Sequence, residues 1–419
     1  MVYTQEQPKK FTVTPWMIWL AVMGIILLSG AVAGILVLWK GLGITNLTDK
    51  VPWALWITID LSSIALGAGA FSMCAAVYLF GLKRYQPIAR TATFVGLIGY
   101  TMAMFALLLD IGRPDRFWHS LVYWNTHSLL WEVTMCVVLY LTVLLFETMP
   151  IVANWDWLRK RMPKIAKMMS STHHYAPILA IVGLGLSSLH QSSLGATYGV
   201  IKARPFWFKP EMSVLFMLSA IVGGISLTLF VTMLSSRLTR KAKINDGLIE
   251  RVAQFVAYLL IAYGYFRFWD AFSQTYTYDP GRTEGLQYLT KGPFAFNFWV
   301  VEMLFGILVP MILLLYRPTR TNRFWRMAAL LMVAVGVIAF RWDTNMTGQL
   351  VIMPYVTGLP ITYTSYRPSL VEILTGAAII AYGLTAFSIG VKYLRVVDHT
   401  LVEEEHEKVH VEGTEPVRI

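Results

Sequence analysis

Ten apolar runs, each close to the roughly 20 residues that carry a helix across a bilayer, recur along this chain. They cover residues 16–38, 54–80, 91–112, 130–149, 176–199, 212–235, 248–272, 294–316, 324–343 and 368–392. Composition agrees: 56% of residues are hydrophobic and 14% charged, where a soluble domain has about 25% charged. The expected fold is an all-α integral membrane protein of about ten transmembrane helices. The first run is too long for a signal-peptide core, and no small-residue cleavage site follows it, so it is expected to be retained.

The connections alternate in character. Those after runs 2, 4, 6 and 8 carry Lys83, Arg84 and Arg90; Arg159, Lys160, Arg161, Lys164 and Lys167; Arg237, Arg240, Lys241, Lys243 and Arg251; and Arg317, Arg320, Arg323 and Arg326. With the termini, this side holds 23 of the 35 Lys and Arg. The positive-inside rule then places both termini in the cytoplasm. The net charge of +11 thus reports topology, and the expected partner surface is the lipid bilayer, with no nucleic acid. Residues 1–15 and the polar tail 396–419 are expected to be solvated on that side, with no metal role for His406 and His410. Cys74 and Cys136 form no CxxC spacing and read as core residues.

The opposite connections are long and aromatic. The stretch LLLDIGRPDRFWHSLVYWNTHSLLWEV, residues 107–133, is the richest in charge. Loops so elaborated on one face suggest a docking surface there. Most ionisable residues inside the runs also keep to that outer half: Asp60, Asp110, Glu132, His190, Glu211, Arg267, Asp270, Glu302, Arg341, Asp343 and Glu372, while the inner half is almost free of charge, with Glu147 at its very edge. Each is costly in a bilayer and needs a pairing or functional reason. Arg267–Asp270 and Arg341–Asp343 read as structural ion pairs. Glu211 and Glu372 suit helix N-termini. A transporter needs polar groups at mid-depth and access to both sides; a cluster in one leaflet fits a site opening outward.

Haem held by two histidines needs ligands facing each other at one depth. Only His190 lies clearly within a run, so no haem is expected, nor an iron–sulfur cluster or other metal in this chain. LLWEVTMCVVLY and FNFWVVEMLFGIL each place a Trp and a Glu, Glu132 or Glu302, near the outer end of similarly oriented runs. Runs 2–5 and 6–9 are therefore expected to form two four-helix bundles, over 54–200 and 201–345. Peripheral elements would then be the first helix with its outer loop (16–53) and an outer loop with the last helix (346–395). The small-residue patches SSIALGAGAF, GLGLSS and GGIS allow close helix packing.

VPWALWITIDLSSIALGAGAF, LDIGRPDRFWH, LLWEVTMCVVLY and above all LHQSSLGATY resemble the NrfD/PsrC family, the membrane subunits of polysulfide-reductase-like complexes. The ten-run count and HQSSLG are similar to its HybB-like branch. The resemblance spans roughly residues 16–392. It implies a subunit without haem or cluster of its own that binds quinone or quinol (menaquinone or ubiquinone) near the periplasmic face, within the first bundle. It implies electron exchange with a docked ferredoxin-like [4Fe–4S] subunit, joined to a catalytic molybdopterin, hydrogenase or multihaem cytochrome subunit. The chain would be the quinone-reactive part of an oxidoreductase complex rather than a stand-alone enzyme.

Quinone reduction needs an apolar slot, donors for two carbonyl oxygens and groups that carry protons. His119 is the first expected partner of the ring, since imidazole both donates and accepts. Asp60 and Tyr123 join it, with Trp53 and Trp118 as walls. Asp60, Glu132, Asp110, His190 and Glu302 are the expected proton carriers, and Arg113 is expected in a structural role with Asp110, orienting the loop. The competing readings are a proton-coupled secondary transporter and a membrane anchor subunit without a site.

Overall fold

The computed structural model describes residues 13–239, 244–354 and 359–399. The expected solvated N-terminus, Arg240, Lys241, Lys243 and the tail with His406 and His410 lie outside the described residues. Ten long helices stand where the apolar runs place them: α1 (Pro15–Lys40), α2 (Leu55–Leu79), α3 (Lys83–Asp110), α4 (Leu129–Ala153), α5 (Ala176–Gly199), α6 (Glu211–Thr239), α7 (Asp246–Thr277), α8 (Asn297–Leu315), α9 (Arg323–Leu350) and α10 (Leu370–Leu394). Their starts follow capping chemistry. Ser128, Asn245 and Asn322 side chains accept the first free amides of α4, α7 and α9. Ser369 and Glu372 close a reciprocal capping box on α10.

Helices α2, α3, α4 and α5 each contact the next, and α5 closes back on α2. Helices α6, α7, α8 and α9 form a second closed ring. The chain is thus two four-helix bundles. Their seam is α6 against α2 and α5, with α9 against α2. Peripheral α1 pairs with α10, which leans on α3 and α2. The seam explains two of the small-residue patches. A Cβ on Gly69 would lie 2.5 Å from the Gly224 carbonyl oxygen, and one on Gly224 only 2.1 Å from the Gly69 amide nitrogen. GAGAF and GGIS therefore meet backbone to backbone, with no room for a flat ligand between them.

Two boundaries differ from expectation. Helix α9 runs to Leu350, seven residues beyond the apolar run. Its polar end DTNMTGQL reads as a loop, but Asn345 Nδ2 donates to the Trp53 carbonyl at 3.0 Å and Gln349 Oε1 accepts the Trp53 amide at 3.0 Å. The tail also begins later than Val396. Val396, Val397, Asp398 and His399 are buried on the basic side. Thr91 Oγ1 donates to the Val396 carbonyl at 3.0 Å, and the Asn245 amide donates to His399 Nδ1 at 3.1 Å. The two apolar valines and these bonds make the segment a strap across α3 and the N-cap of α7.

Candidate functional site

Where the first bundle meets the second, opposite the basic side, polar groups of α2, α3 and α9 come together. Asp60, in the second turn of α2, is 3% exposed, and its Oδ1 has no hydrogen-bond partner among the described residues. Within its electrostatic reach lie Asp110, at the end of α3, and Arg341 of α9. Asp110 Oδ1 is also buried without a hydrogen-bond partner. Arg341 is fully buried. Its Nη2 donates to the Phe216 carbonyl at 2.8 Å and Ser219 Oγ at 3.0 Å, and its guanidinium covers the Phe216 ring at 3.7 Å. Its Nε and Nη1 make no hydrogen bond there. One buried cation, the buried Asp60 and the half-buried Asp110 share this region with unused hydrogen-bonding capacity. Buried polar groups are normally satisfied, so such a concentration marks a place for water or a polar ligand.

An aromatic wall closes the site toward the second bundle. Trp53 packs on Tyr198 (5.7 Å between centroids) and stacks on Trp207 (6.0 Å). Tyr198 donates to Asn345 Oδ1 at 3.0 Å, while Trp207 donates to the Thr344 carbonyl at 2.6 Å. Asn345 also reaches Thr58 Oγ1 on α2 at 3.1 Å. The polar extension of α9 thus holds Trp53 and the start of α2 in place.

Beneath Asp60, at mid-depth, His190 Nδ1 and the Tyr100 hydroxyl are 2.9 Å apart. Gln191 Nε2 donates to the Ile64 carbonyl, one turn below Asp60, at 3.2 Å. Glu132, in the first turn of α4, accepts from Ser193 Oγ at 2.7 Å. The sequence matches the model of the polysulphide reductase, NrfD, family over residues 43–353. The chain belongs to the NrfD family. Relatives of this NrfD-family chain include the integral membrane subunit of menaquinone reductase of Nitratidesulfovibrio vulgaris, 29% identical over 93% of this chain and 94% of that one. A selenate reductase subunit of Mesobacillus selenatarsenatis is 25% identical over 96% and 99%. The Hdr-like menaquinol oxidoreductase integral membrane subunit of Archaeoglobus fulgidus is 24% identical over 87% and 89%. These relatives are subunits of reductase-type complexes.

The expected residues of the NrfD-family chain separate into groups. His119, Trp118 and Tyr123 form an aromatic cluster in the loop 111–128, with centroids 4.3 Å (Trp118–His119) and 5.3 Å (His119–Tyr123) apart. Trp118 and Tyr123 are exposed. Trp53 packs with Tyr198 and Trp207, so the two expected ring walls, Trp53 and Trp118, belong to different clusters. Arg113 is bidentate to Asp115 at 3.1 Å, and both are exposed. Arg113 thus pairs within its own loop, with Asp115 two residues on.

Glu302 lies in the second bundle. Lys209, Asp270, Arg267 and Glu302 form one buried chain of ion pairs, with Arg267 Nε to Glu302 Oε1 at 2.6 Å. Arg267 also lies over Phe298 and Phe340. Arg267 and Asp270 therefore meet, whereas Arg341 and Asp343 do not. Asp343 instead accepts from Asn297 Nδ2 at 2.7 Å. The reason is helical phase: residues three apart share a face, while residues two apart point away from each other. Tyr100, Tyr198, Lys209 and Asn345 escaped the sequence reading. Tyrosines pass as membrane aromatics, and Lys209 and Asn345 lie in segments that read as loops.

Proposed function

We propose that this chain is the quinone-reactive membrane subunit of a respiratory redox complex, set in a bacterial or archaeal cytoplasmic membrane with its basic side cytoplasmic. In this reading quinone or quinol binds in the outer, periplasmic half of the first bundle. Electrons pass to or from a ferredoxin-like [4Fe–4S] subunit docked on the outer loops, which in turn serves a molybdopterin, hydrogenase or multihaem cytochrome subunit. The observation that carries the reading is the group Asp60, Asp110 and Arg341, with its unused hydrogen-bonding atoms inside a family whose relatives are named for menaquinone chemistry.

A quinone takes up two electrons and two protons when reduced and releases them when its quinol is oxidised. This chain's residues supply the rest. Arg341 offers hydrogen-bond donors and a fixed positive charge that favours an electron-rich oxygen. Asp60 and Asp110 hold or pass protons beside it, as general acid–base groups must. The Trp53–Tyr198–Trp207 wall gives an apolar, rigid boundary. The His119 cluster stands at the mouth, because its loop joins the outer ends of α3 and α4 and Trp131 of α4 donates to the Ser120 carbonyl at 2.9 Å. Menaquinone is the favoured quinone because two relatives carry it, or its quinol, in their names.

The test is turnover and quinone affinity of the purified complex. Asp60→Asn should leave assembly intact and slow quinone-dependent electron transfer on the order of 100-fold, the usual contribution of a positioned acid–base group. His119→Gln should have a smaller effect. Wild-type turnover and affinity in Asp60→Asn would overturn the assignment of this site. The Asp60–Asp110–Arg341 group argues against a transporter, because it lies at one end of the bundle instead of at a mid-depth site with access to both faces.

A further inference from the structure

The connection between α4 and α5 is more than a turn. Its sequence NWDWLRKRMPKIAKMMSSTHHY, residues 154–175, folds into two short helices, Asp156–Arg161 and Pro163–Ser171. Pro163 makes the break. A residue before proline is steered away from helical backbone, and Met162 takes φ −137° and ψ 65°. The hairpin is fixed to α4. Arg159 Nε donates at 3.2 Å to the carbonyl of Ala153, the last residue of that helix, and Thr172 Oγ1 donates to the Phe146 carbonyl at 3.4 Å. Leu158 and Ala166 are the buried side chains that seat it.

Seated this way, the second helix leaves part of its apolar arc uncovered. At about 100° per residue, Met168, Ile165, Met169 and Ala166 follow one another around one side, and Lys167, Ser171 and Lys164 occupy the other. The chain covers the Ala166 and Met169 edge. Ile165 stays 43% exposed and Met168 66%. Trp157 of the first helix, whose ring packs against Trp155 at 5.0 Å, stays 50% exposed. The adjoining ends of α4 and α5 expose Leu145, Phe146 and Ile178. Around these apolar groups stand Arg159, Lys160, Arg161, Lys164 and Lys167, all exposed. Among the described residues none of the five pairs with a carboxylate. The basic end of the second bundle differs: Arg320 meets Glu250 at 3.4 Å, and Arg326 meets Asp246 at 2.9 Å, with Arg323 on the same carboxylate.

We infer that the 154–175 hairpin binds anionic phospholipid of the leaflet on the basic side, with its lysines on the headgroup phosphate and Trp157, Ile165 and Met168 among the acyl chains. The surface matches both halves of such a ligand. Basic residues beside a membrane attract anionic headgroups. An amphipathic helix with lysines on one side and aliphatic residues on the other lies in the interface plane. An acidic protein would match the charges, but it gives no reason for uncovered apolar side chains where α4 and α5 leave the bilayer. A free phosphate would match the charges alone. A lipid held here braces the basic ends of α4 and α5. The surface lies on the face opposite the Asp60 site and does not depend on what binds there.

The experiment titrates a short-chain phosphatidylglycerol into the purified whole complex in neutral detergent and reads amide hydrogen exchange over residues 156–171. Short-chain phosphatidylcholine and glycerol phosphate are the comparisons. Phosphatidylglycerol should slow exchange of the hairpin, and the other two should not. Added salt should weaken the effect, because it screens exposed charge. Lys160→Gln, Lys164→Gln and Lys167→Gln together remove three exposed charges while keeping good helix formers, and should weaken phosphatidylglycerol binding at least about tenfold. Ile165→Ser with Met168→Ser should weaken it as well. Arg237→Gln, Arg251→Gln and Arg317→Gln remove as much exposed charge from the second bundle's basic end and should leave the hairpin's affinity unchanged. Unchanged exchange within α2 and α6 shows that a variant is folded. Equal protection by phosphatidylcholine or by glycerol phosphate overturns the lipid site, and so does wild-type affinity in the lysine variant. A subunit that purifies with the wild-type complex and is lost from the lysine variant also overturns it, since the hairpin is then a protein interface.

Discussion

Two buried arginines show how much depends on a single residue of spacing. Arg267 has Asp270 one turn on and Glu302 across the bundle, so its charge is matched. Arg341 has Asp343 two residues on, facing elsewhere, and keeps donors unused beside Asp60. A buried pair is strongly destabilised when one partner is removed, because the remaining charge stays in low dielectric. A double-mutant cycle on Arg267→Met and Glu302→Gln should give a coupling between about 0.5 and 3 kcal/mol, as for residues within one network. The same cycle on Arg341→Met and Asp343→Asn should be additive to within about 0.5 kcal/mol. Thermal unfolding of the detergent-solubilised complex measures both. Strong coupling in the second cycle would mean that Arg341 is a structural partner of Asp343 rather than a site residue.

At the scale of elements, the seam and the strap make separate predictions. The α2–α6 seam depends on Gly69 and Gly224 having no side chains. Gly224→Val should push the two backbones apart and destabilise by at least the roughly 1–3 kcal/mol of core overpacking. It would be read as loss of folded protein on extraction, whereas Gly24→Val, where a Cβ meets nothing within 4 Å, should be silent. The strap depends on a neutral histidine. His399 Nδ1 accepts the Asn245 amide, and burial pulls its pKa down to about 4, with Asp398 opposing only in part. A histidine whose folded pKa is depressed contributes stability that is complete above its ordinary pKa of about 6.5 and is lost as pH falls from there toward the folded value. Acidification from pH 7 to pH 4.5 should therefore release the strap. Hydrogen exchange of the Asn245 amide, which loses its acceptor, would report the change; protection independent of pH would refute it.

For the whole molecule, topology and cofactor content are the decisive quantities. Cysteines introduced at Lys164 and Asp115, in a background lacking Cys74 and Cys136, should label with an impermeant thiol reagent from opposite sides, Lys164→Cys from the cytoplasm and Asp115→Cys from the periplasm. Labelling of both from one side would undo the assignment of sides on which the docking surface rests. His190 is the only histidine within α1–α10, and its Nδ1 already meets Tyr100. The isolated subunit should accordingly show no haem bands in a reduced-minus-oxidised spectrum. A b-type spectrum would overturn the expectation of a haem-free chain.

The amino-acid sequence by itself determined the number of helices and their alternating direction. Those follow from the free energy of burying each residue in lipid, which acts locally, run by run. It did not determine which polar groups end up satisfied. That depends on distances between helices far apart in the chain, as when Asn345 and Gln349 turn a loop-like stretch into the end of α9 by reaching the Trp53 backbone. In the same way Asp60 and His190 were visible as costly residues from the start, but Tyr100 and Ser187 were not. A hydroxyl in an apolar run is ordinary until the tertiary structure places several together, and only that coincidence in space makes a polar cluster of Tyr100, Tyr140, Ser187 and His190.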